Sequence, residues 1–153
     1  MRKIKRRRSR GFSLVEVLVA LVVLSVGLLG IAALYVESLR SGRTALLRSQ
    51  AVILAGDMAD RIRANRRGLD AYEATVTASD INAACETAGA GCAPDELARH
   101  EKAVWLSELQ RALPGGTGTI DWQDGNPDTY VITITWAESG QAEQNSYVLR
   151  FQA

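Results

Sequence analysis

Residues 6–36 read "RRRSRGFSLVEVLVALVVLSVGLLGIAALYV", and their charge pattern changes across one glycine. Basic side chains stop at Arg10, one carboxylate follows at Glu16, and no charge occurs from Val17 to Val36. Twenty such residues in a helix cover roughly 30 Å at about 1.5 Å each, the thickness of a bilayer's hydrocarbon core. Positive side chains stay on the cytoplasmic side, so the segment is expected to span once, N-in, with the rest of the chain on the far side.

The chain's 153 residues allow one domain and an appended segment. The net charge of +1 hides a strong asymmetry. Seven basic residues (Arg2, Lys3, Lys5, Arg6, Arg7, Arg8 and Arg10) crowd the first eleven positions, and without them the chain is −6. Residues 37–67 carry +4 and residues 68–153 carry −9. An acidic C-terminal part disfavours nucleic acid or an anionic membrane surface as its partner.

A secretory signal peptide also joins a basic segment to an apolar one, but its apolar core is about 7 to 15 residues long and ends at a cut site. Here Ala32-Ala33 runs on without turn residues. Val36, Leu39, Leu47, Ala51, Leu54, Met58 and Ile62 continue at helical spacing, so one helix is expected from about Ser13 to about Arg66, apolar all round and then on one face, roughly 80 Å long. Asn65 to Gly68 carries its stop signals. Gly27, Gly30 and Gly42 inside it suit close packing of helices in a membrane, or local flexibility. Neither a signal peptide nor a plain anchor explains Glu16.

Leu69 to Pro94 reads as an irregular connector containing the two cysteines, Cys85 and Cys92. Their spacing suits a small disulfide loop, which persists on the exoplasmic side and contributes roughly 2.5 kcal/mol by loop-closure entropy. A metal site needs more ligands than one histidine, His100, can add. Pro94 to Leu113 is expected to form a second helix: Pro94, Asp95 and Glu96 suit its first turn, Leu97, Val104, Trp105, Leu109 and Leu113 give an apolar face, and Pro114-Gly115-Gly116 stops it. Strands are expected at Thr117–Trp122, Thr129–Trp136 and Ser146–Phe151, with turn signals at residues 124–128 and 139–140. In the second strand Tyr130, Ile132, Ile134 and Trp136 share a face. Trp105, Trp122 and Trp136 are read as packing residues. Three strands are marginal alone and need a helix as cover, so the Leu47–Ile62 face should lie on them. The fold class is α+β: a long N-terminal helix on a small head with a second helix and a three-stranded antiparallel sheet.

Gly11-Phe12-Ser13-Leu14-Val15-Glu16, after a basic leader and before an apolar run, resembles the class III signal of type IV pilins. Ile62-Arg63-Ala64-Asn65-Arg66 and Leu113–Ile120 (LPGGTGTI) are similar to the PilV family of type IV pilus modification proteins, which are minor pilins. The resemblance implies that a prepilin peptidase cuts between Gly11 and Phe12 and methylates the new amine of Phe12, and that Glu16 pairs with such an amine during subunit assembly. It implies four regions: a cleaved leader (1–11), a transmembrane half-helix (12–36), an amphipathic half-helix (37–67) and a periplasmic head (68–153). Implied partners are the peptidase, other minor and major pilins and an inner-membrane assembly platform; the chain would sit in the inner membrane and then in the pilus. No cofactor or metal is implied. Many major pilins carry a proline in the apolar half, whereas the first proline after this chain's apolar run is Pro94.

The leading expectation is therefore a minor pilin of a priming or tip complex. A minor pseudopilin of type II secretion shares the same signal. A competence pilin that captures DNA has the +4 segment in its favour and the −9 head against it. An enzyme has least support: His100 among Arg99, Glu101 and Lys102 reads as a solvated residue, and no phosphate loop or metal cluster accompanies it.

Overall fold

The computed structural model describes residues 11–87, 91–125, 129–138 and 143–152. The leader up to Arg10 and the turn signals Asn126-Pro127-Asp128 and Ser139-Gly140 lie outside them. The chain divides into two compact units, one up to Gly42 and one from Arg43 onward. Helix α1, Leu14–Ala64, belongs to both.

Within the first unit every described residue is exposed, its large apolar side chains from 84% at Leu14 to 48% at Val17. The helix is unbroken through Gly27 and Gly30. The Ser25 hydroxyl in the uncharged run is satisfied internally by donating to Leu21 O at 2.7 Å. Val36 and Leu39, expected on the amphipathic stripe, are exposed, because nothing in their own unit packs on them.

In the second unit the stripe starts at Leu47 and continues through Ala51, Ala55, Met58, Ala59 and Ile62, all buried, with Leu54 partly so. Alanine occupies three of these positions, each at most 1% exposed. Two contacts give its direction. Thr44 Oγ1 donates to Glu138 Oε2 at 2.8 Å, just past the end of the central strand, and the Arg63 guanidinium lies 4.7 Å above the Phe151 ring, beside that strand's start. This part of α1 thus runs along the central strand in the opposite sense. Nineteen helical residues cover about 28 Å and eight extended ones about 26 Å, so the two are matched in length.

Past Ala64 the chain makes 3-10 turns at Leu69–Tyr72, Ala78–Asp80 and Ala83–Glu86 before helix α2, Pro94–Ala112. Gly68 is needed at the first bend: a Cβ there would lie 2.3 Å from Pro94 O, the same carbonyl that Asn65 Nδ2 reaches at 2.7 Å. The end of α1 is therefore tied to the start of α2. On α2 the buried side is Ala98, Lys102, Trp105 and Leu109, at spacings of four, three and four. The fully buried Trp105 donates its ring N–H to Leu54 O at 2.9 Å, so the large apolar ring leaves no orphaned donor.

Strands β1 (Thr117–Gln123), β2 (Thr129–Trp136) and β3 (Asn145–Phe151) form one antiparallel sheet in the order β1-β2-β3. The register aligns Ile120, Ile132 and Leu149 in one row and Trp122, Tyr130 and Phe151 in another. Tyr130, Ile132, Ile134 and Trp136 are all buried, as the alternation requires. Gly118 is where the Trp105 ring meets β1: a Cβ there would come within 2.3 Å of the indole. Two positions depart from expectation. Val131, on the opposite face, is also buried, because a central strand is flanked on both sides, here by Asp121 and Arg150. Trp122 is 43% exposed, because its row ends on β1, at the sheet edge. Apart from these, the chain has the α+β arrangement expected of it.

Candidate functional site

Charge placement singles out the start of α1, where Glu16 is the one charged side chain between Gly11 and Val36. Gly11 and Phe12 precede the helix and are exposed, and a Cβ on Gly11 would meet nothing within 4 Å. The peptide joining them lies outside the helical hydrogen-bond ladder. It can be drawn into an extended conformation without breaking a helical turn.

Ser13 begins the ladder, its carbonyl accepting from Glu16 N at 3.0 Å and Val17 N at 3.2 Å. Ser13-x-x-Glu16 has the spacing of a capping box, in which each side chain accepts from the other residue's backbone N–H. Among the described residues neither side chain makes that bond, and the Glu16 carboxylate stays uncommitted. It sits in the first turn, where the helix dipole favours negative charge. Phe12, Glu16 and Ala20 follow one another at four-residue spacing along one side. With Val17, Leu21 and Leu24 they line a shallow apolar recess of about 360 Å³ in which Glu16 is the ionisable member. A carboxylate so placed is costly to bury unless a cation meets it.

In the head, Cys85 and Cys92 form a disulfide. Around α2 the structure places charged groups where the sequence reading did not. His100, read as solvated, is only 6% exposed, and so is its neighbour Lys102. Lys102 shares the Ala98–Trp105 stripe, and its Nζ donates to the carbonyls of Tyr72 at 2.7 Å and Ala74 at 2.8 Å. Burial pushes its pKa down, opposed by Asp121 and Glu73 nearby. Glu73 accepts the Trp122 N–H at 2.6 Å, which covers one outward backbone donor of the β1 edge. The Tyr72 hydroxyl donates to the Glu101 carboxylate; burial first, and that bond second, hold its pKa well above the usual phenol range. Asp80 is held below the usual carboxylate range by donors on Thr77, the backbone N–H first and the hydroxyl second. These contacts fasten the connector to α2 and β1. The four-residue step from Ala98 to Lys102 was the signal for a buried lysine. Among the described residues no three His, Cys, Asp or Glu side chains are grouped to hold a metal ion.

Two family models match the chain. The prokaryotic N-terminal methylation motif matches residues 6–32, which contain Gly11, Phe12 and Glu16, and the type IV pilin Tt1218 model matches residues 33–103. The strands lie beyond both matches. No curated protein and no solved structure matches the chain. Both families point to a structural protein, and α1 is long and apolar enough to cross a membrane. A methylation motif, a pilin segment directly after it and an α+β head behind a long apolar helix make this chain a type IV pilin-like protein.

Proposed function

We propose that the protein is a minor pilin, cut by a prepilin peptidase between Gly11 and Phe12, methylated on the amine of Phe12, and inserted in the inner membrane with its head in the periplasm until it joins a priming or tip complex. The observation that carries this reading is the Glu16 carboxylate, without a capping bond among the described residues, one helical turn beyond an exposed Gly11–Phe12 peptide and followed by an uncharged helix. Cleavage turns the Phe12 amide into a cationic amine four residues from Glu16. At about 4 Å and an effective dielectric near 20, their gross attraction is about 4 kcal/mol, from which desolvation is subtracted. Glu16 left alone resists burial among apolar helices, so pairing with its own or a neighbour's amine sets the register in which subunits add. PilV-type membership rests on Ile62–Arg66 and Leu113–Ile120 and is part of this proposal.

Intact-mass measurement on membrane-extracted protein, made with and without a coexpressed prepilin peptidase, tests the processing step. Loss of residues 1–11 with gain of one methyl, only with the peptidase, is expected. An uncut chain, or a cut beyond Ala33, would overturn the proposal. Deletion of the gene is expected to reduce surface pili; normal piliation with lost protein secretion would move the protein to a secretion pseudopilus.

A further inference from the structure

Beside the disulfide, a buried imidazole holds a turn through a bond that a proton would remove. His100 accepts the backbone N–H of Asn82 on Nδ1 at 3.0 Å, and its Nε2 is 4.0 Å from Glu86 Oε1. A backbone N–H can only donate, so Nδ1 carries no proton and the neutral ring bears its hydrogen on Nε2, toward Glu86. Asn82 in turn organises the Ala83–Glu86 turn. Its Oδ1 accepts from Ala84 N at 3.0 Å and its carbonyl from Cys85 N at 2.9 Å. The bond from Asn82 to His100 therefore helps tie the turn that carries Cys85 to α2.

We infer that His100 is a proton-operated latch: the neutral ring keeps the Asn82–Glu86 turn docked on α2, and the imidazolium expels the Asn82 amide and undocks it. An imidazolium has two donors and no acceptor, so it faces the Asn82 N–H with like polarity. Among the described residues one acid lies within 4.0 Å of the ring; Glu96, four residues earlier on α2, accepts the Ala93 N–H at 3.3 Å. From the Ala83–Glu86 turn, Glu86 is the acid within 4.0 Å, and at 62% exposure it offers a weak, solvent-screened pairing. From the Ala78–Asp80 turn, Asp80 is engaged with Thr77. From the Leu69–Tyr72 turn, Asp70 lines a separate recess with Arg67, Asp95 and Arg99. On α2 itself Glu101 is bonded to Tyr72 and Lys102 to two carbonyls, while Asp121 of β1 acts on Lys102. Undocking reshapes the recess of about 360 Å³ lined by Asp80, Ile81, Asn82, Glu96 and Arg99, so this patch of the head has a pH-dependent form. The inference stands independently of the proposed minor-pilin role.

The chain's single histidine gives one imidazole signal. Full-length protein in detergent micelles, with ¹⁵N-labelled histidine and amides, is titrated by NMR from pH 8 to pH 5. The Nε2–H tautomer is expected at pH 8. As the ring charges, exchange of the Asn82 amide, corrected for intrinsic pH dependence, is expected to rise on the order of tenfold. His100→Gln, which keeps an uncharged acceptor, is expected to abolish that response; Glu86→Gln, which removes the acid favouring the imidazolium, to move it to lower pH. An Nδ1–H tautomer, flat Asn82 exchange while the ring charges, a ring that stays neutral at pH 5, or an unchanged response in His100→Gln would each overturn the latch. If His100→Gln does not fold, the tautomer and the Glu86→Gln displacement decide the matter.

Discussion

The two stretches of α1 share one backbone ladder and differ in what their side chains meet. From Leu14 to Gly42 every side chain is exposed, although most are apolar; from Arg43 to Ala64 one stripe is buried and the outer face carries charges. Valine and glycine make the first stretch a poor helix former in water, whereas in lipid a helix is the way to satisfy every backbone group within the segment. The second stretch has moderate propensity and gains its stability from the sheet and α2. Helical form alone thus says little about what holds a helix: one stretch is specified by its surroundings, the other by the rest of its own chain.

Substitutions that treat the two stretches differently test that contrast. The largest effect is expected from Trp105→Ala, which empties the site packed against the second stretch and costs about 3–5 kcal/mol, while Leu24→Ala leaves head stability within about 0.5 kcal/mol. Urea unfolding of the full chain in micelles, followed by near-ultraviolet circular dichroism, reads both. Equal losses would erase the distinction. Next comes one substitution at two glycines. Gly118→Ala drives a methyl into the Trp105 ring and is expected to cost about 3 kcal/mol, whereas Gly27→Ala meets open space and is expected to leave head unfolding unchanged while gaining about 1 kcal/mol of local helix stability. A smaller loss, at most about 2.5 kcal/mol, is expected from Cys85→Ser with Cys92→Ser, and it should appear in head unfolding with no change in the exchange of amides between Leu14 and Gly42.

The smallest effect concerns pH. Tyr72 keeps its proton in the folded head at pH values where the unfolded chain has lost it, near 10. Stability from this group is complete below pH 10 and falls as pH rises through and above 10. Lys102, whose pKa is lowered, acts in the opposite sense: folding favours its neutral form, and stability rises with pH until the unfolded chain's lysine also loses its proton. Tyr72→Phe is therefore expected to flatten the alkaline decline in melting temperature, at the cost of leaving Glu101 without its donor. A decline of unchanged steepness would place the alkaline sensitivity elsewhere.

Alternation along Tyr130–Trp136 and the i, i+3, i+4 pattern from Leu47 to Ile62 were enough to place both core faces, because side-chain direction follows from backbone period. The same logic failed where a residue's neighbours in space, and not its period, decide burial. Val131 is hidden by belonging to a central strand, and Trp122 is uncovered by lying on an edge. His100 was misread because flanking charges suggested solvent; the connector's Asn82 N–H meets its ring and connector carbonyls receive Lys102, and a single sequence does not locate them. At the start of α1 the residues of the candidate site could be read directly, since Gly11, Phe12 and Glu16 lie within six positions. The recess around Glu16, with its carboxylate free of a capping bond, could not.

The fastening of α1 to the elements around it also determines how the head answers a mechanical pull. Thr44 with Glu138 near one end, Leu54 with Trp105 in the middle and Arg63 with Phe151 at the other are spaced along about 28 Å of helix. Tension applied along the helix axis loads these contacts in shear and together, as in a lap joint, so they share the force and yield at once. A helix joined to the sheet at one end would peel away one contact at a time, each bearing the whole load in its turn.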